Sequence, residues 1–164
     1  MSDNTITGLL TERFGEAILG ADASSDLPTF TVKREAYHDL IRTLKDDPEF
    51  GFGFLTTLCG IHYPDSDLPF GVICHLHNME RNIRIRVKTF LPADDVHIPT
   101  LTDLYSAANW MERETYDFYG ILFDGHPNLK RILNVEYMDY FPMRKEYPLE
   151  DRTREDKDDR FFGR

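Results

Sequence analysis

Cysteine is scarce in this chain of 164 residues, which contains only Cys59 and Cys74. A cubane iron–sulfur cluster usually takes four thiolates, so this chain alone cannot hold one. A lone disulfide is uncommon in a cytosolic protein. We therefore interpret both residues as buried free thiols.

Long apolar runs and positive charge are also lacking. No segment approaches the ~18 apolar residues of a membrane-spanning helix, and residues 1–10 lack the basic-then-apolar order of a secretory signal. We expect a chain that is cytosolic or faces the cytosol. The net charge of −10 argues against binding nucleic acid and against direct adsorption to anionic lipid.

Recognisable catalytic and nucleotide-binding motifs are missing too. The Gly51-Phe52-Gly53 run lacks the third glycine and the strand-to-helix setting of a dinucleotide-binding loop. No phosphate loop is present, and no Ser/His/Asp or Cys/His set has persuasive spacing. These absences favour a chain that is not an autonomous enzyme.

The chain does contain enough apolar material, 41% of its residues, for one core. Helical and strand periodicities predict helices over 6–18, 34–45 and 100–119, and strands over 29–32, 54–63, 70–77 and 83–89. A Thr100-x-x-Asp103 capping box would start the last helix and Gly120 would end it. We predict an α+β fold, with a mainly antiparallel sheet and helices packed on one face.

The periodicity ends after Asn134, where aromatic residues are scattered among prolines and charges. We predict a core domain over 1–134 and an extended C-terminal arm over 135–164 that binds a partner. The aromatic content suits a segment that becomes ordered on a partner. A frayed tail is the alternative.

The most informative segment runs from residue 112 to residue 133. It is typical of the end of an amphipathic helix, a glycine stop and a turn-rich loop. Its density of charge fits either a salt-bridged surface helix or an interface in which acids pair with arginine. Ten of its residues, which we call the signature residues, are Glu112, Arg113, Glu114, Asp117, Phe118, Tyr119, His126, Lys130, Ile132 and Leu133.

The identity and spacing of the signature residues resemble the pattern of the complex I 30-kDa subunit family, the C subunits of NADH-quinone oxidoreductases. The flanking residues 99–110 and 144–149 are similar as well, and the resemblance runs from about Phe54 to Leu149. His62 is a departure, because the family often has an aspartate there.

The resemblance implies a non-catalytic structural subunit in the peripheral arm of a proton-translocating NADH:quinone oxidoreductase. It implies no catalytic, cofactor-binding or metal-binding residue in this chain. FMN, iron–sulfur clusters and quinone are expected in partner subunits. The expected partners are the 49-kDa-type large subunit, which this chain would brace, and neighbouring iron–sulfur subunits. The whole would lie at the cytoplasmic face of the inner or plasma membrane, with no direct membrane span by this chain.

Two alternatives remain open at this point. One is the equivalent subunit of a membrane-bound nickel–iron hydrogenase or of a ferredoxin- or deazaflavin-linked complex. The other is a stand-alone small enzyme that uses the region of His75 and His77. A metal site there, with Cys74 and His62, is disfavoured because strand alternation puts Cys74 opposite His75 and His77.

Three basic residues, Arg84, Arg86 and Lys88, share one face of a predicted strand. We interpret them as a possible docking face for an acidic partner surface. A solvated face that balances acids elsewhere is the alternative. We interpret His126, in the signature loop, as a hydrogen-bonded anchor rather than a proton carrier.

Overall fold

The computed structural model of the protein describes residues 3–22 and 27–147. Within these residues the α-helices are α1 (Asp3–Phe14), α2 (Arg34–Asp46) and α3 (Ala108–Tyr119), and a 3-10 helix spans Gly15–Ala17. The strands are β1 (Ile18–Asp22), β2 (Thr29–Val32), β3 (Phe54–His62), β4 (Phe70–Asn78), β5 (Ile83–Leu91), β6 (His97–Pro99) and β7 (Leu122–Asp124). None of the described helices is long and apolar enough to cross a bilayer.

Five strands form one sheet in the order β1-β2-β5-β4-β3. Its pairings are antiparallel except between β2 and β5, which run parallel. The short strands β6 and β7 form a separate parallel pair. The predicted α+β class with a mainly antiparallel sheet is confirmed, and the β4–β5 hairpin pairs Asn78 with Ile83 as its spacing indicated.

The core lies between one face of the sheet and the helices. Register places Leu58, Cys74 and Val87 side by side on that face, and all three are buried. Helix α2 covers them with apolar residues at three- and four-residue steps, Tyr37, Leu40, Ile41 and Leu44, each fully buried. Burying each such side chain contributes about 1.5–3 kcal/mol.

Helix α3 covers strand β3 on the same face of the sheet. Gly60 permits this approach, because a Cβ there would lie 2.6 Å from the ring of Tyr119 and 3.0 Å from Thr115. Thr115 interrupts the apolar stripe in the sequence, yet it is buried at this contact. The small side chain of Thr115 on the helix and the missing side chain of Gly60 on the strand therefore let the two backbones come close.

The predicted start of the last helix is wrong. Helix α3 begins at Ala108, and the residues before it form turns in which the Tyr105 and Ala108 amides donate to the carbonyls of Leu101 and Tyr105. The Thr100 hydroxyl accepts from the Thr102 amide at 3.1 Å in a local turn and donates to Glu112 at 2.5 Å, so it holds the segment before α3 rather than the first turn of a helix. The predicted stop is confirmed, because Gly120 has φ +74° and its amide donates to Tyr116.

The first α-helix ends earlier than predicted. Helix α1 ends at Phe14, Gly15 has φ +46°, and one 3-10 turn, Gly15–Ala17, follows. Ile18, predicted as helical, instead starts β1 and pairs with Val32. Strand pairing thus decides the conformation of residues whose spacing alone fits a helix.

The described part of the predicted arm, residues 135–147, contains no helix or strand. It packs against the end of α3 and the adjacent sheet. The Met143 amide and Arg144 Nε donate to the carbonyls of Phe118 and Tyr119 at 3.2 and 2.8 Å. The Lys145 amide donates to Nδ1 of His62 at 3.0 Å. Residues 148–164 of the arm lie outside the described part of the chain.

Candidate partner-binding site

Asp117 is the buried centre of the signature region. Its Oδ2 accepts hydrogen bonds from three successive amides, those of Ile132, Leu133 and Asn134, at 3.0, 2.7 and 2.9 Å. Its Oδ1 accepts from Arg131 Nη1 at 2.8 Å and from the side chain of Asn134 at 3.1 Å. Burial would raise the pKa of Asp117, but these donors outweigh burial and hold the pKa well below its usual range. Helix α3 therefore fixes the signature loop through one carboxylate.

Arg131 extends this network into the arm. Its side chain is 7% exposed, and its Nη2 donates to the carbonyls of Met138 and Tyr140, both at 2.9 Å. Its guanidinium also lies over the ring of Phe141, 4.8 Å from the centroid. One side chain thus joins α3 to residues 138–141.

Glu112 binds the segment before α3. It is fully buried and accepts from the Thr100 hydroxyl at 2.5 Å and the Leu101 amide at 2.6 Å. Burial raises the pKa of Glu112 to about 7, against the lowering effect of these two donors. This signature residue holds the turn that enters the helix.

The basic and imidazole signature residues also bind backbone. Arg113 donates to the carbonyls of Lys130 and Arg131, both at 3.2 Å. His126 Nε2 lies 3.1 Å from the Asn109 carbonyl, and its Nδ1 accepts from the Asn128 amide at 3.0 Å. These contacts place the proton on Nε2. His126 is thus hydrogen-bonded within the chain at both nitrogens, in agreement with the anchoring interpretation.

The loop that these residues hold exposes large apolar side chains. Leu133 is 65% exposed and Tyr137 is 88% exposed, while Trp110 on α3 is 61% exposed. The guanidinium of Arg113 lies 5.1 Å from the Trp110 ring centroid. Trp, Tyr and Arg are the residues most often found at the energetic centres of protein interfaces. Val135 is exposed as well.

The remaining signature residues lie around this framework. Ile132 and Phe118 are partly buried, whereas Lys130 is exposed. Glu114, Phe118 and Tyr119 line a cleft of about 210 Å³ between α3 and β3, together with Cys59, Gly60, Thr115 and Met143. The signature residues therefore form one connected region rather than scattered positions.

The predicted basic face lies on the side of the sheet away from the helices. Arg84 is exposed, and Arg86 and Lys88 are partly exposed. Arg86 is engaged within the sheet, because its Nε donates to His75 Nε2 at 2.8 Å. The other two basic residues lie opposite β4 residues, Arg84 beside His77 and Lys88 beside Ile73. The strand alternation predicted from the sequence is confirmed.

The same strand alternation places the residues considered for a metal site on different faces of the sheet. Cys74 is buried on the core face, whereas His75 and His77 lie on the other face. His62 stacks on Phe70 with ring centroids 4.5 Å apart. In the described part of the chain, no group of three or more His, Cys, Asp or Glu residues is arranged to hold a metal ion.

The two thiols are both free, but the expectation that both are buried is wrong for Cys59, which is exposed on strand β3. Its side chain lies on the face away from the core, opposite Ile73. Burial raises the pKa of the Cys74 thiol to about 12.

Sequence reasoning missed Arg131 and Asn134 as parts of the site, and gave no role to Arg144. Arg131 stands 14 residues from Asp117, and no local spacing rule connects residues across a helix stop and a loop. Arg144 lies over the rings of Phe70 and Phe141 at 4.6 and 4.7 Å. Two signals were available for Arg144, namely its place in the family-like flank 144–149 and its position as a basic residue within an aromatic-rich segment.

An α+β domain whose last helix and following loop are joined by this signature defines a class of respiratory-complex subunit. The chain belongs to the family described as respiratory-chain NADH dehydrogenase, 30 Kd subunit, which it matches over residues 30–153.

Relatives and a solved structure agree with this assignment. The chain is 38% identical to the NADH-quinone oxidoreductase C subunit of Sinorhizobium medicae (strain WSM419), over 89% of this chain and 72% of that protein. It is 43% identical to the C subunit of Herpetosiphon aurantiacus, over 78% of this chain and 74% of that protein. A trypsin-resistant fragment of Nqo5 superposes with a TM-score of 0.66 at 29% identity, covering 76% of this chain and 98% of the fragment.

Proposed function

We propose that this chain is a structural subunit of the peripheral arm of NADH:quinone oxidoreductase, complex I. It braces the 49-kDa-type large subunit that forms the quinone site, and it touches neighbouring iron–sulfur subunits. Its relatives are named as C subunits of NADH-quinone oxidoreductase, which supports this assignment over a hydrogenase-type complex. The chain holds the large subunit in position, while the assembled complex carries out electron transfer and proton pumping.

The observation that carries this proposal is the network around Asp117. Five hydrogen bonds to one buried carboxylate hold a loop whose Leu133 side chain is turned out to solvent. A preorganised loop loses little entropy when it binds. Rigid presentation of exposed apolar groups is typical of a docking surface and gives a lone soluble domain no benefit.

The basic face supports a second contact in the same assembly. In a chain of net charge −10, Arg84, Arg86 and Lys88 form a row of like charge on the side of the sheet away from the described helices. Such a row suits an acidic surface on a partner subunit. The arm extends the contact with the partner subunit, since its described part, residues 135–147, exposes Tyr137, Tyr140 and Met143.

The same proposal assigns the cofactors and the location. FMN, iron–sulfur clusters and quinone reside in partner subunits, and this chain binds none of them. It reaches the cytoplasmic face of the membrane through the complex rather than through a span of its own. Its isolated form has no turnover.

Affinity purification of the tagged chain from its native membranes tests the proposal. Mild detergent extraction followed by mass spectrometry should recover the large quinone-site subunit and the iron–sulfur subunits. Leu133→Ser should reduce their recovery, because it removes an exposed apolar contact without touching the core. Recovery of the unaltered chain without any of these subunits would contradict the proposal.

The basic face is tested separately by Arg84→Glu. Arg84 is preferable to Arg86 because Arg86 also hydrogen-bonds His75, so a change there mixes docking with sheet stability. Lys33→Glu is the matched control, since it makes the same charge change at another exposed position, beside helix α2. Equal recovery of partners with both variants would refute the docking role of this face.

A further inference from the structure

Strand β3 is a free edge of the five-stranded sheet, because among the described residues only β4 pairs with it. The strand is nine residues long and contains no Asp, Glu, Lys, Arg or Pro. Its pairing with β4 shifts register between Leu55 and Thr57 and is then continuous to His62. Soluble proteins usually protect such an edge with a short strand, a charge, a proline, a β-bulge or a covering helix or loop. The section from Thr57 to His62 contains no Asp, Glu, Lys, Arg, proline or register shift, and the described arm bonds it at His62.

A cleft runs beside this edge, between β3 and α3. Its volume is about 210 Å³, and its lining is mostly apolar, with Phe118, Tyr119 and Met143 on one side and the side-chain-free Gly60 on the other. A cavity of about 150 Å³ already admits benzene. The cleft is therefore large enough for a branched or aromatic side chain.

We infer that the β3 edge accepts an extended strand from a partner subunit, with one apolar side chain of that strand seated in the cleft beside Gly60. In this mode of recognition, main-chain hydrogen bonds to the edge supply affinity and the pocket supplies specificity. The rim residue Glu114 disfavours an acidic side chain at this point. The ligand is thus a neutral or basic extended segment with a large apolar residue.

The cleft is continuous with the surface assigned to partner binding. The signature residues Glu114, Phe118 and Tyr119 line it, and Met143 of the arm closes it. One added strand covers less than the roughly 1,200–2,000 Å² of a stable interface. The added strand is therefore one part of a larger interface, and its pairing with β3 sets how the two subunits are aligned. The inference rests on the proposed function and adds the chemistry of one part of the interface.

Hydrogen–deuterium exchange on the intact complex tests this inference. Peptides covering residues 54–62 are compared between the isolated full-length chain, at a concentration where it is monomeric, and the complex purified through the tagged chain. Amides on the free edge of β3 should exchange at least about tenfold more slowly in the complex, because they become hydrogen-bonded to the added strand.

Two lysine variants form a matched pair. Cys59 is exposed on β3, so Cys59→Lys places on this edge the charge that naturally blocks strand pairing, and Leu19→Lys places the same charge at an exposed position of β1, the opposite edge strand. Cys59→Lys should reduce recovery of partner subunits about tenfold, while Leu19→Lys should not change it. Equal melting temperatures of the two isolated variants show that folding is not the cause of the difference.

The possible outcomes separate the inference from the proposed function. Partner recovery with unchanged exchange over residues 54–62 would overturn the inference and leave the proposed function standing. Slow exchange already in the isolated monomer would mean that another segment of this chain occupies the edge, which also overturns it. Protection that rises with the concentration of the isolated chain would indicate pairing between two copies and would overturn the choice of a partner subunit as the occupant. Failure to recover any partner with the unaltered chain would overturn both.

Discussion

Replacing Asp117 with alanine tests the network that holds the signature loop. The change removes the acceptor of five hydrogen bonds, three of them from successive backbone amides. It also leaves Arg131, whose side chain is 7% exposed, without its carboxylate. The helix itself should persist, since alanine is the best helix former.

The expected loss follows from the burial of this ion pair. Removing one partner of a buried pair costs about 3–5 kcal/mol, because the remaining charge is left uncompensated. Amides that lose their acceptor add to this where water cannot reach them. For a chain of this size each kcal/mol lowers Tm by about 2–4 °C. We therefore expect Asp117→Ala to lower Tm by roughly 6–20 °C.

Thermal and urea unfolding of the isolated chain measure this loss. Glu114→Ala is the matched control, because Glu114 lies on the same helix but is exposed, and it should change stability by less than about 0.5 kcal/mol. Amide exchange at residues 132–134 should accelerate only in the Asp117 variant. A Tm within about 2 °C of the unaltered protein would refute the claim that Asp117 fixes the loop.

Three further changes test other contacts. Burial raises the pKa of Glu112 from 4.5 to about 7, so the folded state holds this proton more tightly and its stability should fall by about 3 kcal/mol as pH rises from about 4.5 to 7. Glu112→Gln should flatten that fall in urea titrations at several pH values. Gly60→Ala should cost about 1–3 kcal/mol in the same assay, because its Cβ meets Tyr119, whereas Gly53→Ala, with nothing within 4 Å, should be near neutral. Arg144→Met should speed proteolysis within residues 135–147, since Arg144 bonds that segment to α3; unchanged cleavage would contradict this role.

The parts of the fold that could be predicted are those that local periodicity specifies. The alternation of Arg84, Arg86 and Lys88 with apolar residues determines the faces of β5, and the glycine at 120 determines the end of α3. In both cases the signal lies within a few residues of the feature. Such signals survive folding because the tertiary structure satisfies them rather than competing with them.

The parts that could not be predicted depend on distant partners. Thr100 fits a helix cap, but its hydroxyl donates to Glu112, twelve residues away, in a turn that precedes the helix, which starts only at Ala108. Ile18 fits a helical stripe, but pairing with Val32 draws it into the sheet. Arg131 lies in the loop after α3, and it reaches Asp117 and the arm only because the chain turns back at Gly120. Periodicity carries no information about which distant polar groups meet. The sequence therefore indicated the residues of the site but not the hydrogen bonds between them.

The proposed function makes this chain necessary for assembly of an NADH:quinone oxidoreductase but not itself catalytic. Membranes that lack the chain should lose NADH:quinone activity and the stable association of the large quinone-site subunit. Adding back the chain during assembly should restore both, while the purified chain alone should show no turnover. Full activity of an assembled complex in the absence of this chain, or NADH:quinone turnover by the isolated chain, would contradict the claim.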